Sequence, residues 1–211
     1  MSKALLAEND KQTFSTRRLE ALTDGVFAIA MTLLVLDLKV PEIVGQVTNT
    51  GLMQALRGMQ SNVVSFVVSF LLLGSMWAVH VRQFEHFHVA DRHFTMINTL
   101  RLLAVVFIPF TTSLAGAYPN LLIARVLFPL NFFFLALISW WQWSYATKLD
   151  KQLKANLDKP EIVNGEQRNV VFLLISAATV VLSIFVGTWA FLLFALAPVF
   201  MRLFTAPVKV D

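Results

Sequence analysis

The stretch Arg18-Leu19-Glu20-Ala21-Leu22-Thr23-Asp24-Gly25-Val26-Phe27-Ala28-Ile29-Ala30-Met31-Thr32-Leu33-Leu34-Val35-Leu36-Asp37 decides the fold of this chain. It carries no charge between Asp24 and Asp37, and at about 1.5 Å per residue it reaches about 30 Å, the thickness of a bilayer's hydrocarbon core. It therefore predicts a membrane span, running over Arg18–Val40 and ended by Pro41. Asp24 lies about two turns inside that helix. A carboxylate at such depth needs a partner or water, so it marks either a polar tie between helices or an ion path.

Working outward, the same pattern recurs. Span 2 is expected over Met59–Gln83, span 3 over Phe94–Gly116 with Pro109 inside, and span 4 over Leu121–Ala146 with Pro129 inside. Proline is tolerated within a membrane helix when neighbours satisfy the freed carbonyl. Trp140, Trp141, Trp143 and Tyr145 read as an aromatic belt at the membrane interface. Val170–Phe204 is apolar throughout, and as one helix it would reach about 52 Å, too long for a core of about 30 Å. A break at Gly187-Thr188 gives spans 5 and 6. The connections are a polar loop over 41–58, a histidine-rich loop over 84–93, a tight turn over 117–120 and a strongly polar linker over 147–168.

Composition agrees. Of 211 residues, 57% are hydrophobic and 14% charged, against about 25% charged in a soluble domain. The net charge of +4 sits at span ends and in one linker, without the aromatic interleaving that stacks nucleobases, so nucleic acid is not an expected partner. The chain has no cysteine, which excludes disulfides, thiolate metal sites and a cysteine nucleophile. The first sixteen residues lack the apolar core of a cleavable signal peptide, so span 1 is expected to target the chain to the membrane.

Lys and Arg fix the expected orientation. Lys3, Lys11, Arg17, Arg18, Arg82, Arg92, the 147–168 linker, Arg202 and Lys209 fall on one side, and only Lys39 and Arg57 on the other. That asymmetry predicts cytoplasmic termini and an even number of spans. The fold class is thus all-α, a polytopic membrane protein of six transmembrane helices. A cytoplasmic segment 1–17 precedes the transmembrane domain 18–204, and a cytoplasmic tail 205–211 follows it.

Chemistry-bearing residues gather at one depth. Arg18, Asp24, His80, Asn98 and Arg101 are all expected in the cytoplasmic half, where a polar knot holds helices together in lipid. Arg101 is expected to face Asp24 or a helix interface. On span 1, Ile29, Leu33 and Leu36 recur at helical spacing with Thr32 beside them. Packing against lipid or a neighbour is the commonest role of such a face, though apolar constrictions also gate pores by dewetting. His86, His88 and His93 lie near Glu85 and Asp91, but their spacing matches no metal motif and reads as a solvated, pH-responsive loop.

The run Arg18-x-x-x-Leu22-Thr23-Asp24 resembles the Arg-x-x-x-Phe-Ser-Asp signature of the transmembrane-protein-175 family of potassium channels, with Leu22 in place of Phe and Thr23 in place of Ser. The resemblance extends to Trp77-Ala-x-His80-x-Arg82-x-Phe84, then to Asn98 and Ile108-Pro109-Phe110-Thr-Thr-Ser113-Leu114. It implies six-helix subunits forming a homotetramer whose first helices line the pore. The constriction would fall on Ile29, Leu33 and Leu36, and a layer governing cation preference on Thr32. Arg18, Thr23, Asp24, Trp77, His80 and Asn98 would form an inter-helix polar network. Potassium and other monovalent cations would be the permeant species, with no resident cofactor or metal. The membrane would be the inner (plasma) membrane. The Thr-Val-Gly-Tyr-Gly filter of ordinary potassium channels is missing from the sequence, so modest selectivity is implied.

The competing reading is a proton-coupled secondary transporter with Asp24, His80 and Arg101 as its relay. The sequence shows neither the internal repeat nor the paired Gly-interrupted spans that point to a carrier. It also lacks Gly-x-Ser-x-Gly and His-Glu-x-x-His, which disfavours an enzyme.

Overall fold

The computed structural model describes residues 14–43, 47–87, 89–148 and 159–196. In chain order the elements are β1 (Phe14–Ser15), α1 (Thr16–Leu33) continued by a 3₁₀ turn (Leu34–Asp37), and α2 (Asn49–Gly58). Then come α3 (Gln60–Phe84), β2 (Val89–Ala90), α4 (Arg92–Ala117), α5 (Leu122–Lys148), α6 (Lys159–Val186) and a 3₁₀ segment (Gly187–Leu196). The fold is helical, apart from the two-residue strands β1 and β2, which pair antiparallel. Among the described residues, five stretches are long and apolar enough to cross a membrane: Thr16–Asp37, α3, α4, α5 and Pro160–Phe194. The chain is a multi-pass membrane protein.

The last stretch contains the expected break. Helix α6 ends at Val186, and Gly187 takes φ 67°, a left-handed conformation that an L side chain rarely adopts. The chain then reverses: Phe194 returns to Phe172, ring centroids 6.1 Å apart, and Phe191 stacks on Phe128 at 4.3 Å. The returning segment is 3₁₀ through Leu196, and the rest of the sixth expected span lies outside the described residues. So do segment 1–13 and tail 205–211.

Three boundaries differ from the sequence reading. Span 1 tightens to 3₁₀ at Leu34 and stops at Asp37, before Val40. The 41–58 loop contains the helix α2, capped by Thr48 Oγ1 accepting from Gly51 N–H at 3.1 Å. The polar linker is shorter than expected, because α6 begins at Lys159 and not at Val170. At about 1.5 Å per residue α6 spans about 42 Å, so its polar first turns extend past the hydrocarbon. Hydropathy marks membrane depth, not helix ends.

The core is built from Phe27, Leu34, Leu73, Val105, Ile108, Phe128, Phe132, Phe191 and Phe194, all buried. Because lipid is as apolar as leucine, close packing and interhelical hydrogen bonds hold these helices. Ser69 and Thr112 hydroxyls meet at 2.7 Å between α3 and α4. At Gly116 an added Cβ would lie 3.0 Å from Asn62 Cα, so glycine lets α4 pass close to the start of α3. Arg125, at the start of α5, lies against Gly187 and adds a third cation to the end that carries Lys39 and Arg57.

Candidate functional site

Helix α1 has two unlike faces. Leu19, Thr23, Phe27, Ala30 and Leu34 are buried against the subunit. Leu22, Gly25, Ile29, Leu33 and Leu36 recur at helical spacing on the other side and are uncovered, with Ile29 61%, Leu33 41% and Leu36 66% exposed. Nothing lies within 4 Å of the Cβ position of Gly25. The 3₁₀ turn brings Leu36 into line with Leu33, since side chains at i and i+3 eclipse in that geometry. Thr32 is exposed beside them, and its hydroxyl donates to the Ile29 carbonyl at 2.8 Å. With its proton held inward, the oxygen's lone pairs remain free on the open side.

Behind this face runs a chain of buried polar side chains. Thr23 Oγ1 donates to the Leu19 carbonyl at 2.8 Å and accepts from Asn98 Nδ2 at 3.0 Å. Asn98 Oδ1 accepts from Gln142 Nε2 at 3.1 Å, and Gln142 Oε1 accepts from Arg101 Nη1 at 2.9 Å. Arg101 Nη2 and His80 Nδ1 lie 2.6 Å apart. A guanidinium only donates, so Nδ1 accepts and the His80 proton sits on Nε2. The chain links α1, α3, α4 and α5.

Of the expected network, the structure thus joins Thr23, Asn98 and His80. It pairs Asp24 with Trp77 separately, through an indole N–H to carboxylate bond of 2.9 Å. Arg18 is exposed and makes no hydrogen bond or ion pair among the described residues. Of the two settings expected for Arg101, Asp24 or an interface, the structure gives the second: Arg101 lies between helices with His80 and Gln142 as partners, and not on Asp24. Gln142 went unrecognised because it sits inside Trp140-Trp141-Gln142-Trp143, a run that reads as an interfacial belt. A lone amide within that apolar, aromatic run was the signal that could have found it.

The belt is itself revised. Trp141 is exposed, but Trp143 is buried, packed on Phe87 and seated over Gly165, with its indole N–H on the Ile162 carbonyl at 3.3 Å. Tyr145 donates to Asp91 Oδ2 at 2.6 Å, and the other Asp91 oxygen caps α4 through Phe94 N–H at 2.7 Å. In the histidine loop, His88 lies outside the described residues, and no group of three His, Asp or Glu gathers among the described ones.

Comparisons with known proteins point to one family, with relatives named both as potassium channels and as endosomal/lysosomal proton channel TMEM175. Residues 18–109 match the family model described as endosomal/lysosomal potassium channel TMEM175. A protein named potassium channel from Chamaesiphon minutus is 35% identical over 150 residues, which is 70% of this chain and 73% of that one. Another of that name from Streptomyces collinus is 42% identical over 101 residues, 48% of each chain. The crystal structure of a lysosomal potassium-selective channel TMEM175 homolog from Chamaesiphon minutus superposes with TM-score 0.76 at 30% identity, over 91% of this chain and 98% of that one.

Proposed function

The chain belongs to the TMEM175 family of ion channels, and on that premise we propose that four copies form a potassium-permeable pore lined by α1. One observation carries the reading. Helix α1 leaves a full-length apolar stripe uncovered while its opposite face is locked into the subunit. Four such stripes around an axis make a dewetted constriction at Ile29, Leu33 and Leu36. Thr32 lends its outward lone pairs to a cation that has shed part of its water. Asp24 lies below the constriction with its carboxyl accepting an indole N–H and no cation on it among the described residues, so this side chain faces the approach to the pore as an attractor of cations. Without a ring of backbone carbonyls, the preference for potassium is modest.

Both termini lie in the cytoplasm of a plasma-membrane protein, as the clustering of Lys and Arg at one end implies. The polar chain behind α1 holds the pore helix and is not a proton relay. Arg101 keeps its proton, and two amides separate it from Thr23. That disfavours the carrier reading.

The test uses purified protein in liposomes with a potassium gradient. Flux should follow voltage with no cosubstrate; flux that requires exchange or a proton partner would favour a carrier. Because the sequence holds no cysteine, Leu33→Cys reports on assembly cleanly. Oxidation should join α1 helices of neighbouring subunits by disulfides. Failure to cross-link would remove α1 from the axis.

A further inference from the structure

A cavity of about 530 Å³ opens between α3, α5 and α6, apart from the exposed face of α1. Its two ends differ in chemistry. Val68 and Leu71 wall the apolar end, Phe172 lies one helical turn from Arg168 toward it, and Arg82 and Arg168 stand at the other end with Arg101 and His80 at its floor. From Val68 to Arg82 is about 21 Å along α3. The described lining residues include no Asp or Glu.

That end has positive charge and hydrogen-bond donors in excess. Arg82 on α3 and Arg168 on α6 both line this cavity and carry like charges. Arg101 Nε and His80 Nε2 are buried without partners among the described residues. Both carry protons in the arrangement described above, so both lack acceptors. Like charges lining one cavity, backed by unpaired donors, are stabilised by an anion. A free phosphate would satisfy the cationic end and leave the long apolar arm open to water or lipid. A zwitterionic headgroup would bring its ammonium to the arginines.

We propose that this cavity is a binding site for one anionic phospholipid per subunit. Its phosphate lies between Arg82 and Arg168, and an acyl chain runs along Val68, Leu71 and Phe172. Basic pockets between membrane helices suit such lipids. Bound there, the lipid bridges α3 and α6.

The full-length channel in neutral detergent, titrated with phosphatidylglycerol, phosphatidylcholine or inorganic phosphate and read by native mass spectrometry, tests this. Phosphatidylglycerol should bind once per subunit and at least about tenfold tighter than phosphatidylcholine. The double variant Arg82→Gln/Arg168→Gln should lose that preference. Leu71→Trp, which fills the apolar arm and keeps both arginines, should weaken lipid binding by a similar factor. It decides the matter even if the arginine variant fails to fold. Equal binding of the two lipids overturns the proposal, as does parental binding by Leu71→Trp. Displacement of the lipid by equimolar phosphate would mean a free-anion site only. Disulfide cross-linking of Leu71→Cys between subunits would mean that a second copy of the chain fills the cavity.

Discussion

Helices α1 and α4 are almost equally apolar, yet half of the apolar stretch of α4 is buried inside the subunit and only 22% of that of α1. Hydropathy identifies both as spans and does not distinguish their roles. The difference comes from what each helix turns inward. Helix α4 contributes Asn98, Arg101, Thr111 and Thr112 to the interior, where each side chain makes at least one hydrogen bond to another helix or to its own backbone. Helix α1 turns one narrow face inward and leaves its apolar stripe without neighbours. The interior of α4 holds the subunit together, while the outer face of α1 is free to serve something that passes outside the subunit. Substitutions on the two should therefore separate stability from conduction.

The largest expected effect lies on the α4 side. Gln142→Leu removes the acceptor of Arg101 Nη1 and the donor to Asn98 Oδ1 in one step. A buried cation left short of an acceptor should cost about 3 kcal/mol. The loss would appear as a lower melting temperature of the purified channel in detergent. Gln142→Glu should recover part of it, because a carboxylate still accepts from Arg101. If Gln142→Leu melts with the parent, the polar chain is not what holds α4 and α5 together.

On α1 the expectation reverses. Ile29→Asn places an amide on the uncovered stripe, at a side chain mostly exposed in the subunit, so melting should shift by less than about 0.5 kcal/mol. Potassium flux should instead rise about tenfold as water enters the constriction, roughly 1.4 kcal/mol off the barrier. Parental flux with lowered stability would invert the comparison and make this stripe a packing surface.

The same contrast explains what could be read from the sequence. Span positions were legible because charge is excluded from hydrocarbon, and the break at Gly187 because an apolar run of that length overshoots a bilayer. The depth of His80, Asn98 and Arg101 was legible for the same reason. Rotation about each helix axis was not. Whether Arg101 turns to Asp24 on α1 or to Gln142 on α5 depends on interhelical packing, which a hydropathy pattern does not encode. Trp143 shows this most directly: its place in an aromatic run suggested the interface, and Gly165 on the next helix, by leaving room for the ring, draws it inside. The start of α6 was missed because Lys159, Glu161 and Arg168 are polar, although nothing in them opposes a helix once it leaves the hydrocarbon.

The smallest expected effect is the finest probe of the α1 face. Thr32→Val keeps the branched shape, so packing and the apolar profile of the stripe should hold, and it removes one oxygen. If that oxygen completes the shell of a partly dehydrated cation, the preference for potassium over sodium should fall by about two- to fivefold, with total flux little changed. Thr32→Ser should retain the preference, because a serine hydroxyl can also donate to the Ile29 carbonyl and leave its lone pairs outward. Bi-ionic reversal potentials on reconstituted channel measure this directly. A Thr32→Val channel with unaltered reversal potential would leave the apolar ring as the element that acts on the ion, and preference would then follow from the diameter set by Ile29, Leu33 and Leu36 alone.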